Sequence, residues 1–166
     1  MSKQSTDITV TSVLVEVLIE VQRERVWETL VVDTSEWWHE DFFTRPGLGK
    51  FRIEQKLGGW MYEDWGDGEG QIWGLVNGVK APEFLQIAGD SDKDWGGPSR
   101  GIMTIRLKSE GEATRLSFEH SIFGRISDET RESLESGWTL LLRDCLKPYA
   151  ETGERTRNAG APDGSS

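Results

Sequence analysis

A chain of 166 residues whose 29 acidic and 19 basic residues leave a formal charge of -10 is long enough for one domain with its own core. That charge repels a phosphate backbone, and no Lys/Arg run or apolar stretch of bilayer length relieves it, so neither nucleic acid nor membrane insertion is expected. One cysteine, Cys145, allows no internal disulfide and has no zinc-site spacing, so no metal or cofactor is expected either.

Residues 8 to 21 place Val13, Val15, Val17, Ile19 and Val21 on alternate positions, the period of a half-buried strand. After Arg23, the spacing of Val26, Trp27, Leu30 and Val31 predicts a short helix packed on the sheet. A second helical turn is predicted from Thr34 to His39, with Trp37 and Trp38 at its end and His39 on the surface. From Lys50 the chain reads as an antiparallel meander, punctuated at Gly58-Gly59, Asp67-Gly68, Lys80 to Glu83, Asp90 to Ser99 and Ser109 to Glu112. The acidic Asp90 to Ser99 segment, with Trp95, is read either as a lid over a pocket or as an ordinary loop. The last element starts near Ser127-Asp128, good N-cap types. It carries Leu134, Trp138, Leu141, Leu142 and Cys145 at spacings of three and four, a long amphipathic helix. Gly137 inside it implies close approach to the sheet or room for a ligand. Pro148 is expected to end or kink this helix. Residues 151–166, rich in Gly, Arg and Ser, read as a disordered tail, leaving 7–150 as the single folded domain. With no signal-peptide core at its start, the chain is expected in the cytoplasm.

Turn geometry assigns the faces. A two-residue hairpin at Gly58-Gly59 sets Leu57 opposite Trp60, Gln55 opposite Tyr62 and Ile53 opposite Asp64. One at Asp67-Gly68 sets Asp64 opposite Gln71, Tyr62 opposite Trp73 and Trp60 opposite Leu75. The inward face then holds Phe51, Ile53, Leu57, Trp60, Tyr62, Trp73 and Leu75, and the outer face Arg52, Glu54, Lys56 and Glu63. Lys108 opposite Ala113 pairs Met103 with Phe118 and Gly101 with His120, lining the same interior. A slip of one residue inverts such faces.

Eight Trp, against six Phe and two Tyr, suit a site that grips a flat, partly polar molecule. The candidate ligand-binding residues are Trp60, Tyr62, Asp64, Trp73, Met103, Phe118, His120 and Trp138, around a pocket of roughly 300 to 1,000 Å³ between sheet and last helix. His120 is read as a ligand or proton partner, or as a structural histidine bonded to a backbone carbonyl. Asp64 is read as a contact for a ligand amine or hydroxyl, or as a wet rim group. No nucleophile elbow, phosphate loop or metal cluster is present in the sequence, and no catalytic residue is assigned.

Val26-Trp27, Glu36-Trp37-Trp38, Gly58-Gly59-Trp60, Gly70 to Val76, Thr114-Arg115-Leu116 leading to Glu119-His120, and Gly137-Trp138, in that order, resemble the SRPBCC superfamily. This group includes START lipid-binding domains, polyketide cyclases and birch-pollen allergens. The branch it most resembles is named after the activator of heat-shock protein 90 ATPase homologues. The resemblance implies an α+β helix-grip fold: a curved antiparallel sheet of six to seven strands around a long C-terminal helix, with two short helices after strand one and a hydrophobic cavity. Three functions follow as expectations: a binder of a small hydrophobic or aromatic molecule, a cyclase- or hydrolase-like enzyme using His120 with Tyr62 or Asp64, and a module contacting a chaperone.

Overall fold

Alternating valines make the first strand, β1 (Thr9–Ile19), which buries Val13, Val15, Val17 and Ile19 and leaves Val10 and Leu14 on the opposite, exposed face. The computed structural model describes residues 7–47 and 49–156. Helices α1 (Arg23–Val31) and α2 (Thr34–Trp37) follow, then a 3-10 turn at Glu40–Phe42. Six further strands come next: β2 (Lys50–Ile53), β3 (Trp60–Gly66), β4 (Glu69–Lys80), β5 (Phe84–Ser91), β6 (Ser99–Glu110) and β7 (Ala113–Gly124). The seven strands are ordered β1-β7-β6-β5-β4-β3-β2 and every neighbouring pair is antiparallel. One long helical run closes the fold, as α3 (Asp128–Thr139), a π-helical segment Leu140–Leu146, and α4 (Lys147–Thr152). This is the α+β helix-grip architecture that the sequence implied.

Ser127 caps the run, its hydroxyl accepting the Thr130 N–H at 3.0 Å. Trp138, Leu141, Leu142, Cys145, Leu146 and Ala150 are buried along it. Pro148 neither ends nor breaks it. In the π-helical segment the Lys147 N–H reaches Leu142 O, and Pro148 then falls in the first turn of α4, the part of a helix that tolerates proline best. The ordered chain also runs past residue 150, since Arg155 donates to the carbonyls of Ser35 and Trp38. Of the expected tail, 157–166 lies outside the described residues.

The registers depart from expectation in instructive ways. At β6–β7 the turn is Gly111-Glu112 and Glu110 pairs with Ala113, so Met103 faces His120 and Ile105 faces Phe118. That is a shift of two positions, and an even shift keeps every face. At β2–β3 the glycine pair does not close the hairpin. Gly58 N–H donates to Val76 O and Gly59 O accepts from Val76 N–H, which extends the β3–β4 ladder, and the chain loops out between the strands. Ile53 therefore meets Met61 rather than Asp64. This odd shift turns β3 over: Met61 and Glu63 are buried, while Trp60, Tyr62 and Asp64 lie on the outer face. Leu57 and Leu75 are exposed with them.

The Asp67-Gly68 turn is as expected. Both residues have positive φ, 55° and 80°, as a type I′ hairpin requires, and Trp60 does pair with Leu75. Between these points the register shifts twice, leaving Trp65 on β3 and Trp73 on β4 as bulge residues. The bulge brings Trp73 back to the inner face that the simple register had already given it. Gly137 makes its close approach to the turn after α2, not to the sheet: a Cβ there would stand 2.9 Å from the ring of Phe42.

Trp138 is buried against the rings of Phe118 and Trp38, at 4.6 and 6.1 Å between centroids. Trp138→Ala is expected to cost about 3 to 5 kcal/mol in a urea melt, from lost burial and an unfilled hole. An unmoved midpoint would show that the helix does not depend on this contact.

Candidate functional site

The space between helix and sheet is filled by aromatic rings. Trp38, 1% exposed, stacks on Phe51 at 4.0 Å and meets Trp73 edge-on at 5.6 Å. Trp138 tilts onto Phe118, and His120 stands perpendicular to Trp138 at 6.0 Å. The remaining void, among Trp38, Met61, Met103, Phe118, Trp138 and Leu142, measures about 20 Å³ and is lined by apolar side chains. That is room for about one water, and far below the expected pocket. Trp37 and Trp38 explain the difference. The helical turn that carries them packs inward, and both side chains are buried.

The candidate residues therefore divide. Trp73, Met103, Phe118, His120 and Trp138 gather around the core between helix and sheet. Trp60, Tyr62 and Asp64 stand on the far side of the sheet. There Asp64 accepts from Arg52 Nε at 3.1 Å and Gly66 N–H at 3.0 Å, and these contacts, the Gly66 bond foremost, hold its carboxyl below the usual range. Trp60, 42% exposed, begins a row of cross-strand neighbours, Trp60, Leu75, Ala88 and Ile102, that runs over the outer face beside Tyr62 and Ile72.

Sequence reasoning placed Glu63 on the outer face, yet it is 0% exposed. Its Oε2 accepts the Trp73 indole N–H at 2.7 Å, and both oxygens accept the Thr44 N–H, at 2.8 and 3.1 Å. The available signal was the alternation of β3: with Met61 inward, Glu63 must follow. The Asp90 to Ser99 loop is anchored over this end of the cluster. Trp95 approaches the Trp73 ring at 6.4 Å, Gly96 lies against Thr130 of α3, and Asp92 O accepts the Gly97 N–H at 2.8 Å.

His120 projects toward the helix beside Gly101, where a Cβ would stand 2.6 Å from its Nε2. The small residue makes room for the imidazole, although the strand partner is Met103. Nδ1 is buried without a hydrogen-bond partner. Burial pulls the imidazole down to about 4, so the ring is neutral at pH 7. His39 serves its own turn, accepting the Asp41 N–H at 3.1 Å. Among the described residues no group of His, Cys, Asp and Glu is placed to hold a metal, and no helix is long and apolar enough to cross a membrane.

A family profile described as Activator of Hsp90 ATPase homolog 1-like protein matches residues 20–151. Among solved structures the chain is similar to DynU16, a protein of the dynemicin biosynthetic locus, at 23% identity and a TM-score of 0.66, covering 88% of this chain and 49% of that one. It thus spans about half the length of that neighbour. It is also similar to CalU16 from Micromonospora echinospora, at 18% identity and TM-score 0.63, over 95% of this chain and 90% of the other. The Aha1 dimer from Colwellia psychrerythraea matches at 19% identity and TM-score 0.59, over 86% and 98%. Likeness at these identities carries the fold alone. No curated protein matches the chain.

The neutral state of His120 makes stability depend on pH. Its folded value of about 4 lies below the ordinary 6.5, so the unfolded chain takes up the proton first. The contribution is whole above pH 6.5, falls as pH drops through the window, and is gone below 4. It amounts to about 3 kcal/mol at most. Denaturation at pH 7 and pH 4.5 is expected to show this loss in the native chain and a smaller one in His120→Gln. Equal losses in both would remove His120 from the account.

Proposed function

From the premise that the chain belongs to the Activator of Hsp90 ATPase homolog 1-like family, we propose that it binds a small apolar or aromatic molecule between the sheet and the C-terminal helix. One observation carries this reading: the aromatic core encloses polar groups that packing alone does not call for. His120 Nδ1 has no partner, and the Glu63 carboxylate is held by two N–H groups. Buried polar atoms short of partners destabilise a fold, and a ligand that hydrogen-bonds them relieves that penalty. The void of about 20 Å³ means that the ligand displaces side chains on entry. Trp95 marks the exit, being 49% exposed on a loop that leans on Trp73.

An enzyme resembling cyclases or hydrolases would need His120 oriented for proton transfer. Its Nδ1 accepts and donates nothing, and Glu119 is on the other face of β7. A protein partner, including a chaperone, is supported by a different feature, the exposed row Trp60, Leu75 and Ile102, since contiguous apolar surface favours association.

Titration with N-phenyl-1-naphthylamine, a neutral aromatic whose fluorescence rises in apolar surroundings, separates these readings. Binding is expected to saturate at one molecule per chain. At a hundredfold excess over Kd it should raise stability by about 2.7 kcal/mol. The double variant Trp60→Ser, Ile102→Ser should bind as the native chain does. A linear, unsaturable signal would refute the binder, and loss of binding in the double variant would move the contact to the outer face.

A further inference from the structure

We propose that Glu63, bonded to the Trp73 indole that Trp95 flanks, is the recognition group for an organic cation, an alkyl- or arylalkylammonium that enters beneath the Asp90 to Ser99 loop. The inference rests on the binding-protein reading and names the chemistry of what enters.

Glu63 is fully buried, yet every group it touches is a neutral N–H: Trp73 Nε1 at 2.7 Å and the Thr44 amide at 2.8 and 3.1 Å. A surround made of donors alone suits a carboxylate, which accepts hydrogen bonds and donates none. Arg45, adjacent to Thr44, places its guanidinium over the Trp65 ring at 5.1 Å, and among the described residues no basic side chain forms an ion pair with Glu63. A buried charge without a counter-charge is destabilising until one arrives. With about four lone-pair sites on a carboxylate and two N–H donors in place, Glu63 has acceptor capacity for an ammonium.

The neighbouring indole pair suits the same guest. A cation gains by lying within about 6 Å of an indole centroid, Trp being the best ring for it. Trp73 and Trp95 present two, with centroids 6.4 Å apart and planes inclined at 49°. Trp95 is half-exposed at the protein surface, so the approach passes the loop. That loop holds Asp90, Asp92 and Asp94 against Lys93, in a chain of net charge -10, a field that draws cations and repels anions.

The competing role for Glu63 is a strut that ties Thr44 to Trp73. A strut needs acceptor oxygen and no charge, and the carbonyl of glutamine supplies that. Glu63→Gln therefore separates the two roles.

The full chain is titrated with 2-phenylethylammonium, 2-phenylethanol and 3-phenylpropionate, followed by tryptophan fluorescence and calorimetry. We expect the cation to bind at least about tenfold more tightly than the alcohol, a single charged hydrogen bond's worth, and the carboxylate not to bind. Glu63→Gln should retain its cooperative melt and lower cation affinity to that of the alcohol. Trp95→Ala, on an exposed loop, should weaken the cation severalfold and leave the alcohol nearly unchanged. Equal affinity for cation and alcohol overturns the cation site while leaving the apolar pocket standing. Failure of all three probes also overturns it, and the naphthylamine titration then decides the pocket separately. If Glu63→Gln does not fold, discrimination in the native chain and its severalfold reduction in Trp95→Ala carry the test, and discrimination undiminished in Trp95→Ala overturns the proposal.

Discussion

A buried indole brings one N–H that must find an acceptor away from water, and four such bonds organise this fold. Trp27 donates to Gln55 at 3.0 Å, Trp37 to Thr29 O at 2.7 Å, Trp38 to Phe42 O at 3.2 Å and Trp73 to Glu63 at 2.7 Å. Each acceptor lies on a different stretch of chain, so the bonds fasten α1, the turn after α2, the loop beyond β2, and β3 to the rings they surround. Glu63 is carried inward by this requirement. Trp73 reaches it from a bulge in β4, and the same bulge alters the pairing of Tyr62.

Filling the grip with rings also decides what remains for function. The sheet and helix of this architecture leave a gap that side chains either line or occupy. Here Trp38 occupies it, stacked on Phe51 and edge-on to both Trp73 and Trp138. The interior is then a closed aromatic cluster continued to the surface by Trp95. Polar character enters it at two places, the Glu63 carboxylate at the loop end and the His120 imidazole beside Gly101. The outer face of the sheet is a separate surface, with apolar side chains at Trp60, Leu75 and Ile102 and ion pairs such as Arg52 with Asp64 and Arg100 with Asp90 around them.

Periodicity was sufficient wherever an element is defined by its own residues. The alternating valines of β1, the spacing of Val26, Trp27, Leu30 and Val31 in α1, and the Ser127 cap with Trp138 and Leu141 behind it each express a local geometry that neighbouring residues impose on one another. The architecture follows from these elements, because a one-sided sheet and an amphipathic helix have to cover each other. Met103, Phe118, His120 and Trp138 were also legible as interior residues, since the two-residue error at the β6–β7 turn leaves their faces unchanged.

What only the tertiary structure decided is the register at β2–β3, and with it the true lining of the interior. Gly58 and Gly59 read as a tight turn because nothing in their neighbourhood shows that Val76, seventeen residues beyond Gly59, claims their backbone groups. Once that pairing forms, β3 turns over, Trp60, Tyr62 and Asp64 leave the core, and Met61 and Glu63 enter it. The inward packing of Trp37 and Trp38, which closes the cavity, likewise depends on acceptors and rings distant in sequence. Local sequence determines which residues alternate or recur on one side of an element. Which side meets the core depends on backbone and side-chain partners from other elements, and those contacts exist only after the chain has folded.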